Sequence, residues 1–282
     1  MSIQNKAMLV QLNISTWTAR KFDPQVTKDV ESRYSAINSG RYNKILIAAE
    51  YLGNIQKCVS AARKYHYENT LPWFDNGSRL LPAAQYLDYV KKMEEFKTSF
   101  EWEIQRFVSM YPDYKNEAYH RLNGMFSEED YPELQTLKAK YAFGIQITPV
   151  PDAQDFRVEI AEADLENIRQ NLKEQLEQSS QGAMLELWNR LYAVVEHMVE
   201  RLSNEDNIFK NSMIGNIDEL CQILPQLNVL DDPNLNWAVN EVKDKLATLS
   251  PDSLRNDPHL RSTAAVEAQK ILAKLKDYIP AA

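Results

Sequence analysis

The chain has 282 residues, of which 44% are hydrophobic and 26% are charged, a composition typical of a folded globular protein. It contains only seven glycines, which argues against a fold rich in tight turns or phosphate-binding loops, and its formal net charge at pH 7 is −8. The sequence has no long apolar run and no secretory signal pattern, so we expect a cytoplasmic protein without a membrane span.

The N-terminal half is predicted to combine a small sheet with several helices. Alternating apolar and polar residues predict strands at 8–17 and 141–150, and 155–160 is a candidate third strand. Because an isolated strand leaves its backbone groups unpaired, we expect the first two strands to pair with each other. Helical spacing predicts helices at 24–38, 44–67, 83–110, 113–126 and 132–140, with Pro112 ending the third of them. The segment 69–82 contains two prolines and an Asn-Gly pair and is predicted to be irregular.

The clearest pattern in the sequence lies at residues 163–202, which contain no proline. Apolar residues recur there three, four or seven positions apart and share one stripe of a helix: Leu165, Ile168, Leu172, Leu176, Ala183, Leu187, Leu191, Val194, Met198 and Leu202. Such a helix is about 60 Å long and needs other helices or a second subunit to cover its stripe. Ser179, Ser180 and Gly182 interrupt the stripe near its middle, where a partner could approach closely or the helix could bend.

The C-terminal third is predicted to consist of shorter helices. A helix beginning at 205 is expected to stop at Pro225, and later helices open at Asp232-Pro233, Ser250-Pro251 and Asp257-Pro258. The fold class is therefore predicted to be mainly α: an elongated helical bundle around one helix of about 40 residues, with a small two- or three-stranded β-sheet joining the N-terminus to the middle of the chain. The predicted domains are 1–160, containing the sheet, and 161–282, containing the long helix and a C-terminal bundle.

Positive charge is concentrated near the N-terminus of this acidic chain. Residues 1–70 carry ten Lys or Arg against five Asp or Glu. Basic and aromatic side chains are interleaved beyond residue 40, and the candidate binding residues are Arg41, Lys44, Lys57, Arg63, Lys64, Tyr67, Trp73, Phe74 and Arg79. Cations interleaved with aromatic rings are used to bind single-stranded nucleic acid, whereas Trp, Tyr and Arg also dominate protein interfaces. A solvated charged surface is the third interpretation.

The sequence contains no catalytic constellation. It lacks the nucleophile-elbow, P-loop and dinucleotide-binding motifs. Glu117 and His120 match one Glu-x-x-His motif of a di-iron site, but such a site needs two of these motifs, and the residue three before His197 is Val194. We therefore expect no catalytic residue, no metal and no cofactor, and we predict that the protein is not an enzyme. An active site assembled from scattered residues is the remaining alternative, because such a site leaves no motif in the sequence.

Six segments of the chain carry a family resemblance. They are LVQLNISTWTARKFD at 9–23, RYNKILI at 41–47, KYHYENTLPWFDNGSRLLPAAQYLDY at 64–89, NGMFSEEDYP at 123–132, DFRVEI at 155–160 and LWNRLYAVVEHMVERL at 187–202. Together they are similar to a family of tailed-bacteriophage proteins of unknown function. Members are encoded near a MoxR-like AAA+ ATPase and a von Willebrand factor A-type protein, which implies a partner role in an ATPase-driven remodelling assembly in the infected bacterial cell. The resemblance provides no catalytic residue, and it singles out the loop from Pro72 to Pro82 as the expected binding position.

Two functional hypotheses follow from these patterns. The first is a non-enzymatic, phage-encoded helical protein that assembles with itself or with the AAA+ ATPase. The alternative is a single-stranded DNA-binding protein for phage replication, recombination or counter-defence, which would use the basic N-terminal region. Phosphate contacts would make such nucleic-acid binding weaken steeply with added salt, which distinguishes the two hypotheses.

Overall fold

The computed structural model describes residues 3–152, 161–204, 207 and 210–279, and these residues form a mainly α-helical fold. The helices are α1 (Pro24–Tyr34), α2 (Ala49–Glu68), α3 (Tyr86–Leu122), α4 (Leu134–Ala139), α5 (Glu162–Leu202), α6 (Ser212–Leu227), α7 (Pro233–Val242), α8 (Pro251–Asn256) and α9 (Pro258–Leu275). The strands are β1 (Ala7–Ser15), β2 (Arg20–Phe22), β3 (Asn43–Ile45), β4 (Leu71–Pro72), β5 (Arg79–Pro82) and β6 (Ala142–Pro149). The predicted mainly α class with one long helix is confirmed, whereas the main sheet of these described residues has four strands instead of the predicted two or three. None of the helices in this described part combines the length and the apolarity needed to cross a membrane.

A small sheet has the strand order β4-β5-β1-β6, and β2 pairs separately with β3. Strands β1 and β5 are antiparallel, with Ala7 opposite Pro82, and β4 is antiparallel to β5. The strands predicted at 8–17 and 141–150 correspond to β1 and β6, and the prediction that they are neighbours is confirmed. The candidate strand at 155–160 lies outside the described residues.

The segment 69–82 contains a β-hairpin, so the prediction that it is irregular is wrong. Leu71 and Leu80 are opposite each other in the ladder between β4 and β5, and both are fully buried. Gly77 has a φ of +85°, which glycine adopts without strain, and Asn76 Oδ1 accepts a hydrogen bond from the backbone amide two residues later at 2.9 Å. The Asn-Gly pair is a hairpin signal, and it outweighs the two prolines because each stands at the end of its strand.

Local capping chemistry explains the starts of α1, α7, α8 and α9. Asp23 Oδ1 accepts hydrogen bonds from two backbone amides in the first turn of α1, both at 3.1 Å. Asp232, Ser250 and Asp257 cap α7, α8 and α9 in the same way, and a proline follows each cap. Because the first amides of a helix have no partner within it, these side chains define where each helix begins. The predicted starts are confirmed.

Two prolines lie inside helices, contrary to prediction. Helix α3 continues through Pro112 and α6 continues through Pro225, so the predicted separate helix at 113–126 is part of α3. An internal proline removes one backbone hydrogen bond and disfavours a helix by about 3 kcal/mol. In α3, however, Tyr111 and Ala118 stand seven residues apart on one face and are both buried. Burial on both sides of the proline favours the continuous helix.

The chain divides into two compact units, each built from separate segments. Unit one comprises Met1–Gln11, His66–Tyr89 and Ile147–Ala282, and unit two comprises Leu12–Tyr65 and Val90–Gln146. These units do not follow the predicted division into an N-terminal and a C-terminal domain. Each unit has its own apolar core, that of unit one drawn largely from α5, α6, α7 and α9 and that of unit two rich in aromatic side chains.

Helix α5 spans 41 residues without a break, which confirms the predicted long helix. It packs against α6, α7 and α9 within unit one. Its buried residues are Ala183, Leu187, Trp188, Leu191, Val195, Met198 and Leu202, all in its second half. Trp188 stacks on Tyr278 with ring centroids 4.2 Å apart and an interplanar angle of 2°. The second half of the predicted stripe is therefore the centre of the unit-one core.

Candidate functional site

The first half of α5 carries an apolar stripe outside the core. Leu165, Ile168 and Leu172 are partly exposed and belong to neither core, whereas Leu176 packs at the edge of the unit-one core. No residue of α5 before Ala183 is buried. Since an amphipathic helix is normally covered along its apolar stripe, this half presents a surface that the described part of the chain leaves partly open.

Arg190 of α5 fixes the end of α2 within unit one. It donates hydrogen bonds to the backbone oxygens of Tyr67, Glu68 and Thr70 at 2.9 to 3.0 Å. Its Nε is also 3.0 Å from Glu186 in an ion pair along α5. Backbone oxygens at a helix end have no partner within the helix, and a positive charge there is favourable with the helix dipole. The start of the hairpin is thereby held against α5.

Arg79 of β5 completes this attachment. Its Nε donates a hydrogen bond to Thr70 Oγ1 at 2.7 Å, and its Nη2 donates one to the Thr70 backbone oxygen at 2.9 Å. The guanidinium carbon lies 4.7 Å from the centre of the Tyr67 ring, within cation–π distance. Burial, together with the positive charge of Arg190, lowers the pKa of Arg79, although a guanidinium stays charged at neutral pH. Arg79 therefore binds the hairpin to the end of α2.

His66, in the last turn of α2, is buried beside Arg79. Its Nδ1 is 2.7 Å from the Tyr89 hydroxyl, and its backbone oxygen accepts a hydrogen bond from Thr70 Oγ1 at 2.5 Å. Burial, with the positive charge of Arg79, lowers the pKa of His66 to about 4. The imidazole is therefore neutral at pH 7, and the cluster supports the hairpin without a buried charge on the ring.

A groove of about 300 Å³ lies between the hairpin and α5, and we call it the hairpin groove. Its lining residues are Pro72, Trp73, Phe74 and Asp75 from the hairpin and Gln175, Gln178, Ser179 and Gly182 from α5. Gly182 and Ser179 belong to the small-residue interruption of the α5 stripe. A Cβ placed on Gly182 would meet no described residue within 4 Å outside the local turn of α5, so the missing side chain leaves this part of the groove open.

The lining of the hairpin groove suits an apolar side chain flanked by hydrogen-bonding groups. Trp73 is 6% exposed, and its ring centroid is 6.0 Å from that of Phe74. Trp73 Nε1 is a buried donor without a hydrogen-bond partner among the described residues, whereas buried donors are normally paired. The side-chain amides of Gln175 and Gln178 can both donate and accept, as a peptide backbone requires. Asp75 is the one charged group among the described lining residues, and its negative charge disfavours a phosphate.

The predicted binding residues divide between the two units. Unit two contains Arg41, Lys44, Lys57, Arg63 and Lys64, and unit one contains Tyr67, Trp73, Phe74 and Arg79. Lys57, Arg63 and Lys64 lie on the exposed face of α2, where Lys57 and Lys64 are seven residues apart on one side of the helix. Arg41 is exposed as well, with its guanidinium 5.7 Å from the centre of the Phe22 ring. These four cations are at the surface of unit two.

Lys44 is an internal ion-pair residue in β3, although the sequence predicted that it begins a helix. Its Nζ lies 2.6 Å from Asp130 and 3.5 Å from Asp23, and it donates a hydrogen bond to the Met125 backbone oxygen at 2.8 Å. Burial lowers the pKa of Lys44, but the interactions with Asp130 and Asp23 outweigh this effect and the pKa is raised. Its side chain is 8% exposed, so its charge is used inside unit two. This placement corrects its assignment to a binding surface.

The unit-one candidates have different roles. Trp73 and Phe74 line the hairpin groove, whereas Arg79 is internal and lies over a half-exposed Tyr67. The sequence did not single out Gln175 or Gln178, because an amide in a long helix has the pattern of an ordinary solvent-facing residue. The available signal was the interruption of the stripe by Ser179 and Gly182, each four positions after one of these glutamines.

The Glu117-x-x-His120 motif is engaged in other contacts. Tyr51 donates a hydrogen bond to Glu117, and this bond raises the pKa of Tyr51 to about 12. The His120 ring packs edge-on against Tyr119 with centroids 5.3 Å apart. Within the described ranges, no three His, Cys, Asp or Glu residues are grouped so that they could hold a metal ion.

Comparisons with known proteins identify no relative. The profiles of known protein families give no match to the chain, and neither the curated proteins nor the solved structures give one. The resemblance to the tailed-bacteriophage family therefore stays a prediction. The functional argument depends on the hairpin groove and on the neighbouring surface of α5.

Proposed function

We propose that this chain is a non-enzymatic interaction protein that docks a partner protein in the hairpin groove. The observation that carries the proposal is the groove itself, where Trp73 and Phe74 stand opposite two glutamine amides. Aromatic side chains are enriched at the centres of protein interfaces, and the amides match the donors and acceptors of a peptide backbone. The attachment of the hairpin by Arg79 and Arg190 keeps the groove preformed, which lowers the entropy lost on binding.

The partly open stripe of α5 extends the docking surface beyond the groove. Viewed along the axis of α5, the stripe of Leu165, Ile168 and Leu172 is rotated by roughly a fifth of a turn from the α5 residues that line the groove. The segment 162–182 carries five acidic and two basic residues, and Asp75 adds another negative charge. A complementary partner segment therefore has an apolar or aromatic anchor flanked by Lys or Arg.

The family resemblance suggests the identity of this partner. Genes of the similar phage family lie near a MoxR-like AAA+ ATPase, and we propose that this ATPase carries the docking segment. The alternative partner is a second copy of this chain, which would bind through the α5 stripe because it presents the same apolar residues. The two sources differ in stoichiometry and in the need for a second protein.

The nucleic-acid alternative rests on fewer of the candidate residues than the docking proposal. The observation that favours it is the exposed face of α2 with Lys57, Arg63 and Lys64. Lys44 and Arg79 are occupied by internal contacts. Salt dependence tests this alternative, since single-strand binding through three phosphate contacts falls by about fourfold when salt rises from 50 to 100 mM, at a slope of roughly −0.7 per contact.

Gly182 offers a direct test of the docking proposal. Replacing Gly182 with glutamine places a side chain in the groove, and its Cβ has open space, so the fold is retained. Within a helix, glutamine is also favoured over glycine by about 0.5 kcal/mol or more. Gly215→Gln is the matched control, because Gly215 is also a helical, exposed glycine of unit one, and a Cβ there would likewise meet no described residue within 4 Å outside its own helical turn.

The measurement is the affinity of the purified full chain for the companion ATPase by biolayer interferometry, with the mass of the chain alone measured by light scattering. We expect Gly182→Gln to weaken binding at least tenfold and Gly215→Gln to leave it unchanged. Equal affinities of the two variants would exclude the hairpin groove. A chain that is monomeric and does not bind the ATPase would refute the proposed function.

A further inference from the structure

A second pocket, of about 670 Å³, lies between the C-terminal half of α5 and the start of α6. Ala193, Val194, His197 and Arg201 of α5 line one wall, and Lys210, Ser212, Met213 and Asn216 line the other. All eight belong to unit one, and none belongs to the hairpin groove. We call this cavity the basic pocket, and its volume falls in the range typical of small-molecule sites.

The charged side chains among the described lining residues of the basic pocket are positive. Arg201 and Lys210 are exposed cations, and no ion pair joins either side chain to another residue within the described ranges. His197 is the third nitrogen-containing basic side chain of the lining. Its Nδ1 lies 4.0 Å from a carboxylate oxygen of Glu200. None of the described residues that line the pocket has an acidic side chain, and the cations among them attract anions.

The floor of the basic pocket is apolar. Met213 is buried in the unit-one core, and Val194 packs against the same core. Ser212 and Asn216 add neutral hydrogen-bond donors beside these side chains. Most pockets that bind small molecules combine an apolar surface with a few convergent polar groups, and the basic pocket has both.

We propose that the basic pocket binds a small organic anion with an apolar body, such as an aryl or acyl sulfonate, carboxylate or phosphate. The guanidinium of Arg201 matches two oxygens of such a head group, and Lys210 contributes a point charge. The apolar body lies against Val194 and Met213. This proposal is independent of the hairpin groove and goes beyond the docking function.

Anilinonaphthalene sulfonate is a suitable probe, because it joins a sulfonate to an apolar aromatic body and becomes fluorescent when bound. Its neutral counterpart, N-phenylnaphthylamine, has a similar body without the sulfonate. Titrating the full chain with each probe at low salt separates the contribution of charge from that of the apolar floor. Inorganic phosphate, added as a competitor, tests the anion alone.

The variants are Arg201→Gln and Lys210→Gln, with Arg33→Gln and Lys91→Gln as matched controls at exposed positions of unit two. We expect saturable binding of the sulfonate probe and an approximately tenfold loss of affinity in each pocket variant, as for a charge-assisted hydrogen bond. The controls should bind like the wild type, the neutral probe should bind at least about tenfold more weakly, and phosphate should compete only at far higher concentration.

Three results would overturn the proposal. Unchanged affinity in both pocket variants would place the probe elsewhere on the chain. Equal affinity for the neutral and the sulfonated probe would remove the role of the cations. Competition by phosphate as effective as that by unlabelled naphthalene sulfonate would leave only a general anion site, without a place for the apolar body.

Discussion

Replacing Lys44 with methionine keeps the length of the side chain but removes the charge that faces Asp23 and Asp130 inside unit two. The lysine Nζ is 2.6 Å from Asp130, and the side chains of both residues are 8% exposed. Asp23 is 3.5 Å away and 15% exposed, and it also caps α1. The substitution therefore leaves two shielded carboxylates without their central cation.

The expected loss is about 3 kcal/mol of unfolding free energy. Breaking a buried ion pair by removing one partner typically costs about 3 to 5 kcal/mol, because the remaining charge stays desolvated. The lower end applies here, since Lys21 still pairs with Asp130 at 3.0 Å and two backbone amides still donate to Asp23. Lys57→Met is the control, because Lys57 is exposed on α2 and its replacement should change stability by less than about 0.5 kcal/mol.

Urea unfolding at pH 7, followed by far-ultraviolet circular dichroism, measures both variants. Hydrogen exchange then locates the change, and we expect faster exchange in α1 and around Met125. Asp130→Asn combined with Lys44→Met should recover about 1 to 3 kcal/mol relative to the additive expectation. If Lys44→Met lowers stability by less than about 1 kcal/mol but abolishes partner or nucleic-acid binding, Lys44 is a binding residue and the argument fails.

The sign of the pH dependence follows from the two pKa shifts. Burial raises the pKa of the Asp130 carboxyl, but the interactions with Lys44 and Lys21 outweigh this effect, so the pKa is lowered. The stabilisation of the fold by the Asp130 carboxylate is therefore lost as pH falls through the pKa of Asp130 in the folded protein. The pKa of Lys44 is raised above its ordinary 10.5, so its stabilisation is lost as pH rises through the folded value. The difference between wild type and Lys44→Met should therefore be largest and flat between about pH 4 and 10 and should shrink outside this window.

Two further predictions concern the helices. The pKa of His66 is lowered from 6.5 to about 4 in the folded protein, so protons bind the unfolded chain first as pH falls. The free energy of unfolding should therefore decrease by up to about 3 kcal/mol between pH 6.5 and pH 4. An NMR titration that shows the folded His66 ring becoming protonated near pH 6.5 would contradict this prediction. Pro112→Ala should raise the free energy of unfolding by about 1 to 3 kcal/mol, because it restores a backbone hydrogen bond within α3. Urea titrations measure this increase, and circular dichroism should show an unchanged helical content. An unchanged free energy of unfolding would contradict a continuous helix through position 112.

The candidate site was only partly predictable from the sequence. The aromatic pair Trp73 and Phe74 and the small-residue interruption at Gly182 were visible in the sequence, and the structure places them around one groove. Nothing in the local sequence patterns indicates that these two segments, more than 100 residues apart, lie side by side. Arg79 looked like a surface cation because its partner groups are backbone oxygens, and backbone oxygens have no signature in a sequence.

Corrections to the fold have the same origin. The hairpin at 69–82 depends on pairing with β1, which is distant in sequence, so two prolines suggested a loop. Helix α3 passes Pro112 because Tyr111 and Ala118 are both buried in unit two. In each case burial or pairing with a distant segment outweighs a local preference of a few kcal/mol at most.

Local chemistry set the helix starts and the length of α5. Asp23, Asp232 and Asp257 cap helices through atoms two or three residues away, and the apolar spacing of α5 is a property of one continuous segment. Long-range packing decided which charges are internal, which half of α5 is covered, and where the two pockets lie. The physical reason is that capping and periodicity act within one or two turns of a helix. The ion pair between Lys44 and Asp130, the hairpin groove and the basic pocket form only when segments distant in the sequence come together.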